Sequence, residues 1–295
     1  MDTDVASLFW FAVPGILVPG VLLVLAFRSP TWKQMTRWAT QAQVTITTHN
    51  DDMIRDRLGR ARRYRSLVSL PFWWIFALPT ILTKPLPGWI DGAAWIPLTG
   101  YMLGSMLAAV SQPEKPGNVR AAELSPRLPS RYAQPRARLA PWLVLSTAII
   151  LFGLAKAFPP MYALSVRAQV PQLLTAVAVA ALAEVALRVI GRQPQMTGSA
   201  TRRAADDALR STGATAAVAS AIMMSLITLG SAIRVSLGSG QRAWVGLPAM
   251  VIVGGLTYIV FAAIITQQPW APTWRRPLQL APKTHPDPTT KSVGA

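Results

Sequence analysis

Cysteine does not occur in this chain, and histidine occurs only as His49 and His285. The first absence excludes disulfides, thiolate metal sites and a cysteine nucleophile. The second matters because both histidines fall in polar segments, so none stands in an apolar run as a base or metal ligand. Neither a Walker A sequence nor a Gly-x-Ser-x-Gly elbow is present, which removes the usual sequence grounds for ATP hydrolysis or serine-hydrolase chemistry. Charge is scarce too: Asp, Glu, Lys and Arg make up 14% of the 295 residues, whereas hydrophobic residues make up 52%. Soluble helices interrupt their apolar stripes with polar faces. Several runs here are apolar all round, which points to membrane-spanning helices.

What charge there is leans strongly one way, with 29 basic against 12 acidic residues. A net charge of +17 raises nucleic acid as a partner. The distribution argues against it, because Arg and Lys sit between apolar runs on alternate connections, as cytoplasmic loops facing an anionic leaflet do. The sequence therefore predicts an all-α, polytopic transmembrane helical bundle over 1–266. Its spans are expected at 5–27, 67–83, 92–110, 141–158, 173–190, 214–233 and 244–266. A Pro-rich cytoplasmic tail, 267–295, is expected to be disordered. Placing 28–66, 111–140, 188–215 and the tail inside leaves only Lys84, Lys156, Arg167, Arg234 and Arg242 outside. This sets the N-terminus out and the C-terminus in. Met1-Asp2-Thr3-Asp4 offers no basic n-region, so the first run reads as a span and not as a removed signal.

The connections carry their own expectations. Trp32, Met35 and Trp38 recur every third residue and would form one face of a helix lying in the interface, anchored by its aromatics. Asn50 is placed to cap a second helix with its side-chain oxygen, Asp51 and Asp52 to complement its positive end, and the arginines from Arg57 to Arg65 to close it. Pro113, Pro116, Pro126, Pro129 and Pro135 predict an extended connection up to Ala140, with Pro141 in the first turn of the fourth span. Gly100-Tyr101-Met102-Leu103-Gly104 is a GxxxG motif suited to close helix packing within the monomer. Ser220, Ser225, Thr228 and Ser231 suit tight packing and interhelical hydrogen bonds in the sixth span, a polar pathway being the alternative.

One short pattern occurs twice. Asp51-Asp52-Met53-Ile54-Arg55 and Asp206-Asp207-Ala208-Leu209-Arg210 both read Asp-Asp-x-apolar-Arg. On a helix, carboxylates three and four residues before an arginine flank one guanidinium. Each copy leads into a predicted membrane hairpin, so the pattern is a topological anchor and a loose internal repeat; ancestral duplication and chance both remain open. In the fifth span Glu184 is the one acidic residue deep in an apolar run, and Arg188 follows on the same helix face. That pair is either structural or part of an ion or substrate pathway.

The segment Asn50-Asp51-Asp52-Met53-Ile54-Arg55-Asp56 resembles the magnesium-diphosphate site of membrane prenyltransferases, where carboxylates hold Mg²⁺ and basic residues hold diphosphate. Its aspartates are more tightly spaced than in that family's motif, and the second copy has no third carboxylate. A helix start with local ion pairs is the simpler reading. No catalytic, cofactor or metal residue is assigned, and no cofactor is expected.

The Ala-, Arg- and Pro-rich, Lys-poor composition looks like that of a high-GC genome. Ala183-Glu184-Val185-Ala186-Leu187-Arg188, together with Ala205-Asp206-Asp207-Ala208-Leu209-Arg210-Ser211, resembles uncharacterised multi-pass integral membrane proteins of actinobacteria. The resemblance covers the C-terminal half. It implies a bacterial cell-membrane location and, since those proteins carry no assigned activity, no mechanism. The expected function is that of a non-enzymatic integral membrane protein, a permease-like or accessory subunit of a membrane complex. The lipid bilayer, anionic headgroups at the basic loops and a membrane or cytoplasmic protein are its expected partners. Two alternatives stand beside it: a self-contained small-molecule or ion transporter using Glu184 and Arg188, and the magnesium-dependent enzyme.

Overall fold

The computed structural model describes residues 17–82, 95–111, 132–133, 135–157, 166–193, 199–237, 251–256 and 259. Among them every regular element is an α-helix and there is no strand. In chain order the helices are α1 Leu17–Phe27, α2 Trp32–Ala42, α3 Asp51–Leu82, α4 Trp95–Val110, α5 Pro135–Ala157, α6 Val166–Arg192 and α7 Ala200–Leu237, with a further helical stretch at 251–256. The start of the first predicted span, the stretch 83–94, the Pro-rich stretch 112–131, most of the seventh predicted span and the tail 267–295 lie outside the described residues.

Three helical segments are long and apolar enough to cross a membrane: Pro135–Ala157, Gln169–Arg192 and Ala200–Ser236. They are not equivalent. The apolar stretch of α7 is 72% buried inside the protein, against 28% for α5 and 39% for α6, so α7 is the axis on which α5, α6 and α4 pack. Outward faces are apolar, with Leu143 and Ile150 of α5 and Leu174 and Val185 of α6 all more than half exposed. A bilayer-facing surface requires this composition, since lipid offers no partner for polar groups.

α4 packs most extensively on α3, and the two glycines of its GxxxG motif make that possible. A Cβ on Gly100 would stand 2.8 Å from Phe72, and one on Gly104 would stand 2.6 Å from the Tyr64 carbonyl and 2.7 Å from Arg65 Cα. The motif is therefore consumed inside the monomer, where missing side chains bring two backbones together.

Several predicted boundaries move, each for the same reason. The helix opened by Asp51 does not close at Arg65; it continues through the apolar run to Leu82 as one element of 32 residues. Likewise 200–213, read as a loop, forms the first turns of a 38-residue α7 that continues to Leu237. Arginine, alanine and leucine are strong helix formers, and a change from charged to apolar composition supplies no stop signal. α5 begins at Pro135 and not after Ala140, so Pro135 takes the first-turn position and Pro141 lies inside the helix, where it withdraws a donor. Asn50 directs its side chain backward instead of capping α3: its Oδ1 accepts from the Thr47 amide at 2.7 Å and its Nδ2 donates to the Thr45 carbonyl at 2.9 Å. It thereby closes the turn that precedes the helix.

At about 1.5 Å per residue α3 is roughly 48 Å long and α7 roughly 57 Å, beyond the ~30 Å of a bilayer's hydrocarbon. The excess is the charged first half of each. These halves share a small core of their own with α2: Met35, Trp38 and Ala39 pack with Met53, Ile54 and Leu58 and with Ala205 and Ala208. The apolar face predicted to lie in the interface is thus turned into protein. Met35 and Trp38 are buried and Trp32 alone of the three is exposed, because α3 and α7 extend far enough to cover it.

Candidate functional site

The charged halves meet at Asp206. Its carboxylate is fully buried and takes one arginine on each oxygen: Arg57 of α3 approaches Oδ1 at 2.7 Å, and Arg210 of α7 approaches Oδ2 through Nη2 at 2.9 Å. Arg210 also donates from Nε to Oδ2 at 3.0 Å and from Nη1 to the Gln193 carbonyl, just past the end of α6, at 2.8 Å. Gln193 in turn donates from Nε2 to the Val110 carbonyl at 2.8 Å, serving the open C-terminal end of α4. One carboxylate therefore ties α3, α7 and, through Arg210 and Gln193, the ends of α6 and α4. Next to it, Asp207 accepts a hydrogen bond from the buried Tyr132 hydroxyl at 3.3 Å. Trp38 of α2 donates to Thr212 Oγ1 at 3.3 Å and closes the cluster from outside.

Such a constellation is a clamp more than a reaction centre. Asp206 is held between two guanidinium groups, hydrogen-bonded by Arg210 through Oδ2 and in ion-pair contact with Arg57 through Oδ1, which makes it a tie between helices. Removing either partner would strand a buried charge. The burial follows from sequence: Ala205 and Ala208 present no side-chain bulk beside the carboxylates, so α2 and α3 come close.

The first copy of the motif is placed differently. Asp51 pairs with Arg55 at 3.4 Å with both side chains part exposed, 27% and 50% respectively, and Asp52 is exposed. A second local pair, Asp56 with Arg60, follows one turn on. The two copies are not brought together as a shared metal site. Among the described residues no group of three or more His, Asp or Glu side chains converges as a cation would need.

Glu184 does not take the partner its spacing proposed. Its carboxylate is gripped by Arg138 of α5, Nη2 to Oε2 at 2.6 Å and Nε to Oε1 at 3.2 Å, while Arg188 is exposed. A bidentate cross-helix fork outranks a local i,i+4 pair. Arg138 was hidden from the sequence by lying inside the connection expected to run to Ala140; the helix start at Pro135 carries it into reach. Arg57, Tyr132 and Gln193 are the other participants that spacing did not single out. Arg57 is one arginine in a dense run, and no local pattern separates it from its neighbours.

The hydroxyls of α7 mostly serve their own helix. Ser225 and Thr228 donate to the carbonyls four residues back at 2.8 and 2.9 Å, and Ser231 donates to Gln172 Oε1 of α6 at 3.0 Å. Comparison with known proteins adds no relative: no family model matches the chain, and no curated protein or solved structure matches it.

Proposed function

We propose that the chain is a seven-span protein of the bacterial plasma membrane, N-terminus out and C-terminus in, acting as a non-enzymatic permease-like or accessory subunit of a membrane complex. The observation that carries this reading is the built basic end. α3 and α7 overrun the bilayer thickness, are joined by the Arg57–Asp206–Arg210 clamp and share a core with α2. Loops needed only for topology would require charge, not a packed core; an ordered basic surface beyond the membrane is what a protein partner can dock on. Purification of the full chain from native membranes in mild detergent, followed by mass spectrometry, tests it. A stoichiometric partner that is lost when Asp206 becomes Asn supports a subunit; a chain that purifies alone at every detergent strength rejects it. Orientation is separately testable because the chain has no cysteine. Ser239→Cys should react with an impermeant maleimide on intact cells, and Thr40→Cys only after permeabilisation.

A second reading, a self-contained small-molecule or ion transporter, draws on polar atoms buried between the helices. Ser220 Oγ and Gln172 Nε2 have no hydrogen-bond partner, and such groups inside a membrane bundle are costly unless used. Reconstituted protein would then move a solute, and Glu184→Gln would abolish transport while leaving membrane abundance unchanged.

A further inference from the structure

Three arginines gather where α3 changes from its charged to its apolar half. Arg62 donates from Nη1 to the Arg28 carbonyl at 3.2 Å and from Nη2 to Gln34 Oε1 at 2.7 Å, which fastens the end of α1 and the start of α2 against α3. Pro30, in the same connector, lies across Gly59 of α3, where a Cβ would stand 3.4 Å from its ring. Arg65 follows one turn after Arg62. It is only 7% exposed, its guanidinium lies 5.9 Å from the Tyr101 ring centre, and its buried Nε has no hydrogen-bond partner. Among the described residues no carboxylate pairs with Arg28, Arg62 or Arg65. Burial, and after it the nearby charges of Arg28 and Arg65, hold the Arg62 guanidinium below its usual value.

This is the reverse of the Asp206 clamp. There two buried guanidiniums share a carboxylate. Here a nine-tenths-buried guanidinium has an aromatic face but no anion, and a ring offsets only a fraction of what burying a charge costs. Among the described residues the chain supplies no such anion, and one from outside the chain would fill the place. Its surroundings define its other end: Val24 and Phe27 of α1 and Leu67 of α3, beside the arginines in sequence, are apolar and 67%, 72% and 42% exposed. A ligand that fits is anionic at one end and hydrocarbon at the other.

We infer that Arg28, Arg62 and Arg65 form a binding site for the phosphate headgroup of an anionic membrane phospholipid, with its acyl chains along α1 and the apolar half of α3. The inference rests on the membrane reading above, with the charged half of α3 at the bilayer surface. It does not rest on the chain being a subunit of a complex. GxxxG packing contributes directly, since the approach at Gly104 buries the Arg65 backbone and sets its side chain on Tyr101.

The test uses the purified full chain in nanodiscs of phosphatidylcholine into which phosphatidylglycerol is titrated, with retained lipid read by native mass spectrometry after gentle release. The wild type should retain phosphatidylglycerol in preference to phosphatidylcholine. Arg28→Gln and Arg62→Gln should each weaken that preference about fivefold, the weight of one basic residue at an anionic surface. Arg65→Gln, which risks misfolding, is replaced by Tyr101→Leu, expected to weaken it less. Arg203→Gln, on an exposed turn of α7, should leave it unchanged. Equal retention of both lipids, or arginine variants that retain phosphatidylglycerol like the wild type, overturns the site. Inorganic phosphate that competes as well as lipid also overturns it, since the anion would then be a free one. A chain released from membranes by carbonate overturns the membrane reading and this inference together.

Discussion

The two copies of Asp-Asp-x-apolar-Arg share a spacing and a helical setting, yet they end in opposite environments. Asp51 and Arg55 open α3 as a loose, part-exposed pair at 3.4 Å. Asp206 and Arg210 stand nearly two turns further into their helix, with side chains at most 1% exposed, 2.9 Å apart and joined by Arg57 from α3. The local code gives the same i,i+4 contact twice. What differs is what lies on the charged pair: α2 and the charged half of α3 cover Asp206 and Arg210, whereas among the described residues Asp51 and Arg55 are left part exposed, although Met53 and Ile54 between them are buried. A motif's weight is thus decided by tertiary burial, because a carboxylate–guanidinium pair in water is worth little and the same pair without water leaves a stranded charge if cut.

The comparison breaks first at Asp206. Asp206→Asn leaves Arg57 and Arg210 without their shared anion, and the expected loss is about 3–5 kcal/mol, read as a lower unfolding midpoint of the purified full chain. α3 should also loosen from α7, seen as faster amide exchange across 51–66. A midpoint within error of the wild type would mean that the clamp is not what holds the two charged halves together.

Glu184 sharpens the comparison with a third acid whose sequence spacing named the wrong partner. Glu184→Gln or Arg138→Gln should cost about 1–2 kcal/mol, as the loss of a partly buried bidentate pair does. Arg188→Gln should be close to neutral. Equal effects from Arg138 and Arg188 would restore the local pair. Smaller again is Tyr132→Phe, which removes the hydroxyl from Asp207 while keeping the ring buried. The expected loss is about 1 kcal/mol by thermal unfolding, and no loss would show that Asp207 is satisfied without it.

These cases also mark how far the sequence could be read. Helical class, apolar runs, the close packing at Gly100 and Gly104 and the pairings of Asp51 with Arg55 and Asp206 with Arg210 all follow from spacing and composition. Boundaries did not, because the step from arginine-rich to apolar composition at Ser66 and Gly213 looks like an edge but contains no helix-stopping chemistry. Cross-helix partners did not either. Arg57 for Asp206 and Arg138 for Glu184 depend on how two helices cross, and no local period encodes that. Nor did the turning-in of Met35 and Trp38: their three-residue interval fixes a face, and whether the face meets lipid or protein depends on α7 being long enough to reach it.

The smallest effect belongs to the first copy, and it decides how general the contrast is. Asp51→Asn should cost no more than about 0.5 kcal/mol, as an exposed i,i+4 pair does, and should cost less as salt is added. A double-mutant cycle with Arg55→Gln should return a coupling of the same small size, whereas the Arg57 and Asp206 cycle should return several times more. If the Asp51 cycle instead gives a coupling as large as the buried one and indifferent to salt, the first copy is covered in the working protein. The surface around Asp51 would then be where a partner of the basic end sits.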